Sequence, residues 1–217
     1  MRHHFRSVLL LGTCLLGLSA CSIGQKSSPS RFYVLSSTAT KVSESQFEGE
    51  APKIGISQIE IPSYLDRPQM VTAVSPNELT YNEFNRWGEP LDQGIVDTLR
   101  LNLTAQLGID KVTAFPWMQS FPRDYNVQVV VENFEAHSYR NEVVLRAIYR
   151  IETLKDKRET VFVAEKVYTQ PVAGDSMDYD AVVLALSNTL SRLSSDIADS
   201  LKTVHSEACS ESSATKK

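Results

Sequence analysis

The 217-residue chain predicts an α+β protein. The expected form is a two-layer α/β sandwich: a mixed, largely antiparallel sheet with two amphipathic helices on one face. Three observations predict it. Two segments, near Leu91–Leu107 and Tyr179–Val204, place apolar residues at helical spacing. Between them, from Tyr125 to Pro171, three long runs alternate apolar and polar residues like strands with one packed face. Shorter aromatic and β-branched runs precede the first helix.

In chain order, "RFYVLSS" (Arg31–Ser37) reads as a strand and "TKVSESQFEGEAP" as a loop. "KIGISQIEIP" (Lys53–Pro62) places Ile54 and Ile56, then Ile59 and Ile61, in alternation, so a strand with an irregularity near Ser57 is expected. Pro62 and Pro68 lack the N–H that a ladder needs and mark a turn. "QMVTAV" and "ELTYNE" form a hairpin about Ser75-Pro76-Asn77. In the first helix Leu91, Ile95, Leu99, Leu103 and Leu107 make one stripe, with Pro90 suited to its start and Gly108 to its stop. "DKVTAF" reads as a short strand and the three-strand meander follows. The last helix carries Val182, Leu186, Leu190, Leu193, Ile197, Leu201 and Val204, with Asp178 as its N-cap.

The N-terminal part has a different character. Arg2 and Arg6 precede an uncharged apolar run, Ser7–Ala20. It is shorter than the ~20 residues that cross a bilayer as a helix, and a basic start before a short apolar run describes a secretory signal peptide. Leu18, Ser19, Ala20 and Cys21 resemble the bacterial lipobox. The lipoprotein peptidase needs small side chains before the cut and a thiol after it, because diacylglycerol is attached to that sulfur. The resulting organisation is a signal peptide over 1–20, a lipidated flexible tether over 21–30, one periplasmic α+β domain over 31–205, and a disordered polar tail over 206–217. Cys21 is expected to carry N-acyl and S-diacylglycerol groups; no other cofactor is expected. Ser22 resembles the residue compatible with export to the outer membrane. Cys209 alone cannot form an internal disulfide, and is either an ordinary tail residue or an intermolecular partner.

Loss of Arg2 and Arg6 leaves 20 basic residues of the 22 against 26 acidic ones, a formal charge of −6. No concentrated basic surface for nucleic acid is visible. No G-x-S-x-G elbow, phosphate-binding glycine loop or H-E-x-x-H pattern occurs. Only His137 and His205 lie beyond the signal, without paired His/Cys spacing for a metal. A catalytic site, a metal site and an enzymatic role are therefore not expected.

Two segments place large side chains beside arginine outside the periodic elements: "IPSYLDRPQMV" with Tyr64, Leu65, Arg67 and Pro68, and "NEFNRWGEPL" with Phe84, Arg86 and Trp87. A third, "AFPWMQSFP", holds Phe115, Trp117, Met118 and Phe121. Trp, Tyr and Arg dominate interface energetics, so the first two segments are read as a partner surface. The same rings would alternatively cover the open end of the core while the arginines cap Asp66 or Glu89.

"YLDRPQMV", "RWGEPL" and the leucine-striped helix after them resemble the PqiC-type intermembrane transport lipoproteins, the ABC-type transport auxiliary lipoproteins. The likeness runs from Cys21 to Leu201 and includes the "FYVL" strand, "VQVVVENFE" and "VVLRAIYRI". Family members more often carry alanine where this chain has Gly88. The resemblance implies a non-enzymatic lipoprotein of the outer membrane's periplasmic face. It would dock or anchor an MCE-domain tube through Tyr64, Leu65, Arg67, Pro68, Arg86 and Trp87. A ring of copies would match such a tube's symmetric end. A lipid-binding carrier and a structural envelope lipoprotein are the alternatives.

Overall fold

The computed structural model describes residues 28–117, 121–155, 157–174 and 177–214. Cys21, Ser22, Met118 and the whole signal segment lie outside them. The order is β1 (Arg31–Tyr33), β2 (Ile54–Ile56), β3 (Gln69–Ser75), β4 (Glu78–Trp87), α1 (Leu91–Leu107), β5 (Val112–Ala114), β6 (Tyr125–His137), β7 (Glu142–Thr153), β8 (Glu159–Pro171) and α2 (Tyr179–Ala214). The fold is mixed α+β, two helices with one curled eight-stranded sheet.

Strand β6 is the hub. Along its whole length it pairs antiparallel with β7, and β8 continues the sheet beyond. Its other side is shared: β2 runs parallel to Tyr125–Val127 with β5 outside it, while β3 meets Ala136 and His137 and is followed by β4 and β1. A register shift between Val131 and Asn133 inserts one extra residue. Val127, Val129 and Val131 face the core before it, Phe134 and Ala136 after it. That slip turns Glu135 to the opposite side of the sheet and bends the strand.

Helix α2 packs against β6, β7 and β8, and α1 packs against α2 and β5. The two leucine stripes meet in one core with the inward residues of β7, from Val143 to Ile151. Inside the helix contact Asn102 Nδ2 donates to Ser194 Oγ at 3.2 Å, so the buried amide is paired. Gly108 ends α1 in the left-handed conformation, φ 65°. The loop after β1 crosses that end: Val42 and Gln46 N–H donate to the Ala105 and Leu107 carbonyls at 3.0 and 2.9 Å. These bonds satisfy acceptors that a helix terminus leaves open.

Some boundaries differ from expectation. Strand β1 ends at Tyr33 rather than Ser37 because the chain then turns to the helices, where Ser36 N–H donates to Ser187 Oγ at 3.2 Å. After Ile56 the second strand survives only as one pairing, Glu60 with Val130. Asn82–Trp87, read as lying outside the periodic elements, belongs to β4. Asn82 Oδ1 accepts the Phe84 and Asn85 N–H groups at 3.0 and 2.8 Å, and the pairing with β3 shifts there, which breaks the alternation. The expected disordered tail is also corrected: α2 continues past Val204 to Ala214. Its extra turns start on a packed residue. The His205 ring meets Phe47 and Tyr125 edge-on at 5.2 and 5.9 Å, and burial holds its imidazole below the ordinary value.

Candidate docking site

The segment after β2 is built as a turn held at both faces. Leu65 N–H donates to the Pro62 carbonyl at 2.9 Å and Arg67 N–H to the Leu65 carbonyl at 2.8 Å. Leu65 is the inward anchor, 2% exposed. Tyr64 lies the other way and ties the turn to β6. Its hydroxyl donates to Glu135 Oε2 at 2.9 Å, with the Glu132 carbonyl 3.2 Å away. Burial and the Glu135 carboxylate push the Tyr64 phenol well above its ordinary value. Asn133 Nδ2 and the Phe134 N–H also donate to that carboxylate, at 2.9 and 2.8 Å, and His137 Nε2 lies 3.2 Å from it. A buried carboxylate with this many partners fixes the loop rather than awaiting a ligand.

The second segment reaches the same place through β4. Trp87 N–H donates to the Pro68 carbonyl at 2.8 Å, and Gly88 N–H to the Tyr33 carbonyl at 2.7 Å. A Cβ at Gly88 would press Val34 Cγ1 at 3.1 Å, which accommodates alanine only if that exposed side chain moves. The turn and the β4–α1 junction enclose a cleft of about 360 Å³, lined by Asp66, Arg67, Pro68, Trp87, Glu89 and Leu91 among others. Arg67 lays its guanidinium 4.0 Å from the centre of the Tyr81 ring, a cation–π contact. Arg86 pairs in register with Gln69 on one side and Phe32 on the other.

Neither arginine caps a carboxylate. Among the described residues neither the Arg67 nor the Arg86 guanidinium makes a hydrogen bond or ion pair, and the Nε of each is buried without a partner. Arg67 and Pro68 line the cleft, while Arg86 lies beside it in β4, paired in register with Gln69. The structure assigns Leu65 and Trp87 differently from the expected partner contacts: at 2% and 7% exposure they are core side chains that hold the cleft in place. Trp87→Ala should accordingly lower unfolding free energy by about 3–5 kcal/mol, whereas Arg86→Ala should change it by no more than about 0.5. Urea denaturation followed by circular dichroism separates the two, and equal losses would contradict the assignment.

Sequence reasoning missed Tyr81, the platform under Arg67. Its place in the hairpin, opposite Val71, was the only signal. The third aromatic segment stands apart, following β5. Phe115 and Trp117 meet edge-on at 5.7 Å, and Arg123 stacks 4.0 Å from the centre of the Trp117 ring. They flank a separate cleft with Val130 and Ile148 of β6 and β7. Among the described residues no group of three or more His, Cys, Asp or Glu could hold a metal, and no helix is long and apolar enough to cross a membrane.

Comparison with known proteins places this architecture. The model of a family described as the ABC-type transport auxiliary lipoprotein component matches residues 33–198. Protein XCC0632 from Xanthomonas campestris, of family DUF330, superposes with a TM-score of 0.68 at 15% identity, covering 84% of this chain and 99% of its own. A crystal structure of an uncharacterized protein gives 0.64 at 21% identity, covering 80% and 99%. At these identities the likeness is one of fold. No curated protein matches.

Proposed function

We propose, from the premise that this chain belongs to the ABC-type transport auxiliary lipoprotein component family, that it docks the end of a periplasm-spanning MCE-domain tube at the outer membrane. In this reading Cys21 carries the acyl groups, the domain stands on the membrane's periplasmic face, and the system moves lipid between membranes. The observation that carries the proposal is the pair of uncommitted arginines. Two segments some twenty residues apart meet at one cleft, lined by Arg67 and Trp87, with Arg86 next to it in β4; yet neither arginine makes an ion pair with Asp66, Glu89 or any other described residue. Arginines held in place by stacking and strand pairing, with donors left over, suit an acceptor-bearing surface on a partner. A ring of copies would present the cleft repeatedly to a symmetric tube end.

The test is co-purification of the MCE partner with the mature lipoprotein carrying Arg67→Ala and Arg86→Ala together. Recovery should fall about 30-fold or more, the scale of a lost interface hot spot. A folded double variant that captures its partner fully would remove the cleft from the interface. Native mass spectrometry of the same protein tests the carrier alternative, which requires stoichiometric bound phospholipid.

A further inference from the structure

We infer that the β1 edge of the sheet rests on the lipid bilayer that holds the anchor. This rests on the reading that Cys21 is acylated. Phe32, on the strand that follows the tether, is 67% exposed, and Val34, just past its end, 58%. Phe84 is 45% exposed, on the neighbouring β4. Their neighbours in sequence explain why they are outside. Tyr33 and Leu35 turn inward, Tyr33 toward Tyr179 and Leu35 toward the start of α1, which leaves Phe32 and Val34 on the opposite side. Apolar side chains thus emerge at the one place where the domain joins its tether.

The tether decides the occupant. From Cys21 to Arg31 there are ten residues, which reach at most about 35 Å when extended and about 17 Å as a flexible coil. The acyl groups therefore keep the bilayer at high effective concentration beside β1, where a weak apolar contact suffices. Arg31 and Glu83, charged and exposed beside these residues, limit insertion to the headgroup boundary, the depth at which amphipathic surfaces settle.

The experiment uses the mature lipidated full chain in vesicles of phosphatidylethanolamine and phosphatidylglycerol, with ordinary or brominated acyl chains. Phe32→Trp places an indole on the edge, and Val163→Trp places one on exposed β8 as reference. Brominated lipid should quench most of the emission added by Phe32→Trp and none of that added by Val163→Trp. Equal quenching in the two variants overturns the inference while leaving the anchor intact, which flotation of the unsubstituted protein reports separately. Failure to float overturns both. An added indole at position 32 that neither brominated lipid nor iodide quenches would assign the edge to a second copy instead.

Discussion

Gly108→Ala should lower the stability of the domain by about 3–5 kcal/mol, among the largest losses a single methyl can cause. Two costs combine. The residue sits at φ 65°, ψ 32°, the left-handed stop of α1, where an L side chain loses roughly 1–2 kcal/mol. The added Cβ would also overlap the Glu44 carbonyl and crowd Val42 Cγ2 at 3.0 Å. That backbone cannot yield cheaply, because Val42 and Gln46 are hydrogen-bonded to the carbonyls closing the helix. Marginal total stabilities of about 5–15 kcal/mol leave little after such a loss. Thermal denaturation should show a fall of about 10 °C or more. Gly108→Asn separates the causes: asparagine tolerates the conformation but not the overlap, so it should be nearly as damaging. A drop below about 1 kcal/mol in either variant would show that the crossing loop gives way.

Cys21→Ser should abolish acylation altogether. Diacylglycerol transfer needs the sulfur, and the peptidase cuts only after that transfer, so the precursor should persist at full mass without incorporated palmitate. The energetic contrast is large, because a buried methylene contributes about 0.8 kcal/mol and even one myristoyl chain holds a protein only marginally. Phe32, Val34 and Phe84 alone would therefore not replace the anchor. Metabolic labelling with palmitate followed by mass analysis checks this, and normal acylation of the variant would refute the lipobox reading.

Much of the fold was legible because its signals are local. The leucine stripe of α1, its glycine stop and the alternation in β6–β8 each depend on nearest neighbours along one element. What escaped depends on residues distant in sequence. The one-residue slip between Val131 and Asn133 acquires meaning only once β7 lies beside it. The extra turns of α2 have no apolar stripe, and begin on a His205 held by Phe47 from a loop far upstream. At the candidate site, residue type identified the segments but not their sides. Leucine, tryptophan and arginine all suit an interface; only the packed structure turns Leu65 and Trp87 inward and leaves Arg67 and Arg86 with unused donors.

The Tyr33–Gly88 hydrogen bond has a mechanical consequence. Under the proposed function, tension runs between the acylated tether and the docking cleft. The tether delivers that pull at Arg31, and the docking cleft begins at Trp87, across the three registered pairs that join β1 to β4. The load path is therefore a short shear joint closed by the 2.7 Å bond from Gly88 to Tyr33. Force crosses the molecule at its corner, and the hub strand, which pairs with neither β1 nor β4, stays out of the line of strain.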